Sequence, residues 1–130
     1  GYFLHYFLGS RSVVTQILNR FSQNAELGAV FPPYFHAIGL APRWGLNEHS
    51  VERTMRILGQ HTEVGECPDF PAGSFFWIRS AALRPLLGGQ LTVQNFDVEE
   101  GQVDGTTAHA IERLIGFFPR ALGFNVQLPY

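Results

Sequence analysis

The stretch from Asp69 to Leu87, DFPAGSFFWIRSAALRPLL, constrains the fold of this chain more than any other. Its proline and glycine favour a turn, and four consecutive apolar residues follow, from Phe75 to Ile78. A short run that is apolar on both faces is typical of a covered strand, so we expect a central strand here. Ser80 is then expected to cap a helix from Ala81 to Leu87.

Apolar periodicity outside this stretch predicts helices that alternate with short buried strands. The expected elements are a helix from Arg11 to Gln23 capped by Ser10, a strand from Leu27 to Phe31, a helix after Asn47, a helix capped by Asp104, and a strand from Phe124 to Leu128. Val51, Met55 and Leu58 are expected to share one face of the helix after Asn47. The stripe expected to be buried on the Asp104 helix comprises Ala108, Ile111, Leu114, Ile115 and Phe118. The pattern therefore predicts a layered α/β domain with short central strands flanked by helices.

Two segments have alternative predictions, and a third is expected to lack regular structure. Tyr2 to Leu8 fits a helix or a strand, Leu91 to Phe96 fits a short strand or an extended loop, and residues 34–46 are expected to be irregular.

The chain of 130 residues suits a single domain spanning residues 1–130. A hydrophobic content of 45% against 15% charged residues argues against disorder.

Charge and cysteine content narrow the function classes. The net charge of -2 gives no reason to expect nucleic acid as a partner. All nine basic residues are arginine, which suits planar recognition of carboxylate or phosphate, although a high-GC coding bias gives the same skew. Cys67 is the single cysteine, so an internal disulfide is excluded, and it has no basic neighbour in sequence that would mark it as a nucleophile.

The first ten residues, GYFLHYFLGS, are apolar without a basic region, so they do not indicate a signal peptide. No apolar run approaches the ~20 residues that span a bilayer. Because the sequence lacks an initiator methionine and begins in the middle of an apolar pattern, we interpret it as a fragment of a larger protein. The apolar start also predicts self-association.

Candidate binding residues follow the turn of the first stretch. Gly73 allows backbone to approach a ligand, and Ser74 can hydrogen-bond to a hydroxyl. Trp77 offers a flat face for stacking on sugars or bases, and Arg79 can pair with a phosphate. The alternative interpretation is a tight turn that feeds a core strand, with Trp77 packed inside.

A second candidate group lies between Glu99 and Leu114, EEGQVDGTTAHAIERL, and we expect it to lie close to the first group in the fold. Asp97, Glu99, Glu100 and Asp104 fall within eight residues. Asp104 and Glu100 can act as a general base or hold a divalent cation, whereas Asp104 can also be an ordinary helix cap, and both roles are compatible.

Other polar residues of this region have structural alternatives. His109 and Glu112 lie about one helical turn apart, but a lone histidine on a helix is more often structural. Trp44 and Asn47, in PRWGLNEHS, are interpreted as residues that fix a loop.

Two segments, FPAGSFFWIRSAALRPLL and EEGQVDGTTAHAIERL, resemble the C-terminal part of the rhamnan synthesis protein F family. GSRSVVTQILNRFSQNAELGAVFPP and WGLNEHSVERTMRILG are similar to the family's preceding elements, so the resemblance covers most of the chain. The family is tied to rhamnose-containing surface polysaccharides and is taken to be glycosyltransferase-like. The resemblance implies a partial GT-A-like fold and the C-terminal half of a larger protein.

The resemblance also implies roles for individual residues. Gly73, Ser74 and Trp77 match the family's acceptor-side strand, and Glu100 and Asp104 match its acidic motif, with Asp104 the better candidate base. His109 matches a motif position without an assigned role.

The chain departs from the usual GT-A pattern because it lacks an Asp-x-Asp metal motif. We therefore expect an inactive isolated segment that binds no cofactor itself, with Mg or Mn, the nucleotide-sugar donor and the glycan acceptor belonging to the full-length parent. A cytoplasmic location, peripheral to the inner membrane, is implied. The alternative function is a non-catalytic carbohydrate-binding or assembly module.

Overall fold

The computed structural model describes residues 2–32 and 42–129. The helices are α1 (Tyr2–Leu8), α2 (Arg11–Gln23), α3 (Glu48–Ile57), α4 (Arg84–Leu87) and α5 (Thr107–Ala121), and the strands are β1 (Leu27–Val30), β2 (Trp77–Ile78) and β3 (Asn125–Gln127). Single turns of 3-10 helix occupy Gly45–Asn47, Ala72–Ser74, Ser80–Leu83 and Val93–Asn95. The fold is mixed α/β, as the sequence pattern predicts. Of the segment expected to be irregular, residues 34–41 lie outside the described part of the chain.

The sheet has three strands in the order β2-β1-β3. β1 pairs antiparallel with β2 and parallel with β3, and all four of its residues are buried. The prediction of a buried strand at Leu27 is confirmed. The prediction that the aromatic strand is central is wrong, because β2 contains only Trp77 and Ile78 and lies at an edge. Its side chains are half-buried against a cluster of Phe7, Ala29 and Phe31, which explains the apolar run without a second neighbouring strand.

The N-terminal segment resolves into two helices. Tyr2–Leu8 forms a helix rather than a strand, and Phe7 from this helix is buried against Ala29 and Phe31. Ser10 caps α2 as predicted, since its side chain accepts a hydrogen bond from the Val13 amide at 3.2 Å.

The helix predicted from Ala81 to Leu87 is divided in two. Ser80–Leu83 is a 3-10 turn, α4 begins only at Arg84, and Ser80 is not the cap. Pro85 explains the division, because it has no amide to donate to Ala81 in a continuous α-helix and is tolerated only in a first turn. Leu91 to Phe96 contains a 3-10 turn at Val93–Asn95.

The last helix begins later than predicted. Thr106, not Asp104, is its N-cap, because the Thr106 hydroxyl accepts a hydrogen bond from the His109 amide at 3.3 Å. The predicted stripe is confirmed at Leu114, Ile115 and Phe118, whereas Ala108 is exposed, Ile111 is half-buried and Ala110 is buried instead. Pro119 does not stop the helix, which continues to Ala121.

Helix α5 joins the two parts of the core. On one side, its buried residues form a cluster with α3 that comprises Trp44, Val51, Met55, Leu58, Ala110, Leu114 and Phe118. On the other side, α5 contacts β1 and the 3-10 turns at Ala72–Ser74 and Ser80–Leu83. Both stretches singled out from the sequence therefore meet at this helix. Within the described residues, no helix is long and apolar enough to cross a membrane.

Candidate functional site

One face of α5 holds the turn that precedes the aromatic strand. Glu112, Gly116 and Arg120 are spaced four residues apart and so share this face. The Gly73 amide donates to Glu112 Oε1 at 2.7 Å, and Arg120 Nη1 donates to the Asp69 carbonyl oxygen at 3.1 Å. Between them, Gly116 lets the helix approach the Asp69 backbone more closely than a Cβ would permit. The two sequence motifs are therefore brought together.

Arg113 occupies the centre of the polar network on α5. Only 8% of its surface is exposed, and its guanidinium lies 4.7 Å from the centre of the Phe70 ring. Its Nη2 is 3.2 Å from Asp104 Oδ1, and its Nη1 is 3.8 Å from Glu112 Oε2. The Nε atom also donates to the Arg43 carbonyl at 3.2 Å. Arg113 therefore connects the acidic motif to the glutamate that holds Gly73.

Asp104 fixes the turn before α3. Asn47 Nδ2 donates to Asp104 Oδ1, and the Leu46 amide donates to Oδ2 at 3.3 Å. Asn47 Oδ1 accepts from the Gly105 amide at 3.0 Å, so the two loops bind each other reciprocally. Gly45, at φ +63, lies so close that an added Cβ would be 2.8 Å from Asp104 Oδ2. Asn47 is the first residue before α3, but its side chain makes this tertiary contact instead of a helix cap.

The electrostatics of Asp104 are those of a stabilised anion. Burial alone would raise its pKa, but hydrogen bonds from Asn47 and the positive charge of Arg113 outweigh burial, so the pKa lies below its usual value. Asp104 is therefore ionised at neutral pH. A depressed pKa also makes a carboxylate a weaker proton acceptor.

We expect Asp104 to contribute to acid sensitivity. Its folded-state pKa is depressed, so its contribution to stability is present above the unfolded pKa of about 3.9 and is lost as pH falls through the folded value. Urea midpoints measured at pH 6 and pH 3 should therefore differ less in Asp104→Asn than in the wild type. An unchanged difference would contradict this. Asp97→Asn is the matched comparison. It should also reduce the difference between the two midpoints, because the Asp97 pKa is lowered as well, chiefly by the hydrogen bond from the Thr107 backbone amide.

The four clustered carboxylates do not converge. Asp97 Oδ2 accepts from the Thr107 amide at 2.7 Å at the start of α5 and lies 3.5 Å from Arg53. Asp104 faces Arg113, while Glu99 and Glu100 are exposed in the intervening loop. Within residues 2–32 and 42–129, no three His, Cys, Asp or Glu side chains form a group that could hold a metal ion.

Trp77 and Arg79 have structural partners. Trp77 is half-buried against the cluster that contains Phe7, Ala29 and Phe31. Arg79 donates from Nε to the Leu27 carbonyl at 2.9 Å and from Nη2 to the Phe21 and Asn24 carbonyls at 2.7 Å and 3.0 Å. The carbonyls of Phe21, in the last turn of α2, and of Asn24, just after the helix, thereby receive hydrogen bonds. Among the described contacts, the residues that pack against Trp77 are different from the residues that bind Asp104.

Gly73, Ser74 and His109 lie nearer the polar network of Arg113 than Trp77 and Arg79 do. Gly73 and Ser74 are exposed and adopt left-handed backbone conformations, with φ of 76 and 58. Such a conformation is uncommon for serine, and residues of this kind concentrate at functional sites. His109 is half-buried, and its Nδ1 lies 2.7 Å from the Thr106 hydroxyl at the start of α5.

Sequence reasoning missed the central role of Arg113 and the contact between Asn47 and Asp104. The signal for Arg113 was a charged residue on the buried face of an amphipathic helix, which requires a partner. Trp44 fixes a loop as predicted, because its indole Nε1 donates to the Gly65 carbonyl at 2.7 Å. Burial raises the pKa of Cys67 to about 11, which agrees with an unreactive thiol.

Together these features define a mixed α/β domain in which a long helix ties an exposed glycine-serine turn to an acidic loop through a buried arginine. The sequence profile of Rhamnan synthesis protein F matches residues 5–124. The chain belongs to this family, which associates it with polysaccharide synthesis.

The curated relatives extend far beyond the matched region. The chain is 37% identical over 117 residues to the uncharacterized protein WxcX of Xanthomonas campestris pv. campestris strain B100, and the same values hold for WxcX of strain ATCC 33913. The match covers 87% of this chain but only 16% of the relative. No solved structure shows significant similarity to this chain.

Proposed function

We propose that this chain is the acceptor-side part of a GT-A-like glycosyltransferase that acts in the synthesis of a rhamnose-containing cell-surface polysaccharide. The supporting observation is the α5 network, in which Glu112 and Arg113 connect the Gly73 turn to Asp104. These are the two motifs that resemble the acceptor side of the family. An exposed turn beside an ordered acidic loop offers hydrogen-bonding groups to a glycan acceptor.

The proposed reaction is displacement at the anomeric carbon of a nucleotide-sugar. An acceptor hydroxyl forms the new bond, the bond to the nucleoside diphosphate breaks, and a carboxylate takes the hydroxyl proton. Asp104 has a fixed orientation but a depressed pKa, while Glu100 is exposed and not held in the network. The geometry therefore favours Asp104 as a positioning group and Glu100 as the freer proton acceptor.

The remaining parts of the reaction are assigned to the full-length protein. The nucleotide-sugar donor and any Mg or Mn ion would bind outside this chain, which is expected to be inactive alone. We also propose a cytoplasmic location, peripheral to the inner membrane, and self-association through the N-terminal helix, where Leu4 and Leu8 are exposed.

The test is sugar transfer by the full-length protein from a dTDP- or UDP-sugar to a rhamnose-containing acceptor. If Glu100 or Asp104 is the base, Glu100→Gln or Asp104→Asn should lower kcat by about 100-fold or more. Glu66→Gln, an exposed glutamate outside both motifs, serves as the control. Normal turnover in both test variants would remove both residues from the base role.

A non-catalytic carbohydrate-binding or assembly module is the second candidate. It is favoured because Leu4 and Leu8 of the N-terminal helix are exposed, as expected of a surface that contacts a partner subunit. Absence of transfer by the wild-type protein, together with a change in tryptophan fluorescence on adding glycan, would support this second function over the first.

A further inference from the structure

An open groove of about 550 Å³ lies beside the C-terminal half of α3, and none of its lining residues belongs to either sequence motif. The groove is lined by one face of the helix and by the loop that follows it. Its polar and apolar lining includes Glu52 and Arg56 from the helix and Gln60, Thr62, Glu63 and Val64 from the loop. Its volume is within the range of about 300–1,000 Å³ that is typical of ligand sites.

The groove is held in shape by contacts at both ends of its loop. At the start, the Gln60 amide donates to the Met55 carbonyl at 2.9 Å. At the end, the Trp44 indole donates to the Gly65 carbonyl at 2.7 Å, and Val64 packs against the core cluster of α3 and α5. A site formed before its ligand arrives loses less conformational entropy on binding.

The chemistry of the lining selects a class of ligand. Glu52 and Glu63 contribute two carboxylates against the single guanidinium of Arg56, so a phosphate or nucleotide would meet net repulsion. Carboxylates, an amide and a hydroxyl instead suit donors and acceptors arranged along a polyhydroxylated chain. Val64, which is half-buried, adds apolar surface for the C–H face of a sugar ring.

We propose that this groove binds a short neutral oligosaccharide. Its interpretation as a site for the growing acceptor glycan rests on the proposed function, but binding itself does not. Because Gly73 does not line the groove, its turn provides a second point of attachment for the glycan.

The test uses the full-length protein and a trisaccharide of rhamnose as the probe, with affinity measured by calorimetry. Combining Glu52→Gln with Glu63→Gln should weaken binding by about 10-fold, since each charge-assisted hydrogen bond contributes severalfold. Glu26→Gln, at an exposed residue outside the groove and both motifs, should leave affinity unchanged. Hydrogen–deuterium exchange of the wild type should slow at residues 60–65 when the trisaccharide is added.

The outcomes separate this proposal from the proposed function. Equal affinity in the double variant, or no protection at residues 60–65, would place any bound glycan elsewhere and overturn the groove assignment. Failure of the wild type to bind the trisaccharide would also overturn it. Transfer measured with the Glu100 and Asp104 variants decides the catalytic proposal independently, because neither residue lines the groove.

Discussion

Replacing Arg113 by methionine is expected to lower the free energy of unfolding by about 3–5 kcal/mol, the usual cost of breaking a buried ion pair by removing one partner. The methionine fills much of the space but leaves Asp104 without its cation, and the Arg43 carbonyl loses its donor. Contact between the guanidinium and the Phe70 ring is lost as well. Urea denaturation at pH 7 measures the change.

A double-mutant cycle identifies the cause of this loss. Adding Asp104→Asn to Arg113→Met removes the uncompensated charge, so the double variant should be more stable than the sum of the single changes predicts. Arg56→Met, on the exposed face of α3, is the matched control and should change stability by no more than about 0.5 kcal/mol. Equal losses in Arg113→Met and Arg56→Met would show that the network contributes nothing to stability.

Gly116→Ala is expected to destabilise the protein by about 2 kcal/mol, the middle of the range for overpacking a core. The new Cβ would overlap the Asp69 carbonyl oxygen and lie 2.8 Å from Phe70 Cα, and backbone atoms cannot move aside as a flexible side chain can. The turn at residues 69–73 would be displaced from α5. Thermal or urea unfolding measures the loss, and faster hydrogen exchange at residues 69–74 would locate it.

Helix propensity alone predicts the opposite sign for this substitution. Alanine is favoured over glycine in a helix interior by about 1 kcal/mol, so a helix without close neighbours would be stabilised. Ala108→Gly provides the control, because Ala108 is exposed in the first turn of the same helix and should show only the loss from propensity, at most about 1 kcal/mol. Stabilisation by Gly116→Ala would contradict the close approach of α5 to Asp69.

Local sequence signals predicted much of the fold because the relevant interactions are short in range. Ser10 capped the helix Arg11–Gln23 as predicted, through an amide three residues away. Apolar periodicity identified Val51, Met55 and Leu58 as the buried face of α3. The same signals failed at Asp104, which was predicted to cap the helix. The sequence pattern is the same whether an aspartate before a helix accepts hydrogen bonds from that helix or from a distant loop.

The two motifs were predicted to lie close together, and the contact between Gly73 and Glu112 confirms this. Their candidate residues were placed by the structure into different environments, with Gly73 on the α5 network and Trp77 in the sheet. Whether Gly73, Ser74, Trp77, Arg79, His109, Glu100 and Asp104 bind substrate or act in catalysis stays a prediction. Nothing in local periodicity indicates which of several charged residues meet, since this depends on how the helices pack.

By itself, the sequence determined the class of fold, the helices α2 and α3, the buried strand β1 and membership in the rhamnan synthesis family. Only the tertiary structure decided that β2 lies at an edge, that Asp104 pairs with Asn47 and Arg113, and that Glu112 holds Gly73. The physical reason is separation along the chain. Periodicity reports neighbours within a turn or a strand, whereas the Asn47–Asp104 and Arg43–Arg113 contacts join residues 57 and 70 positions apart.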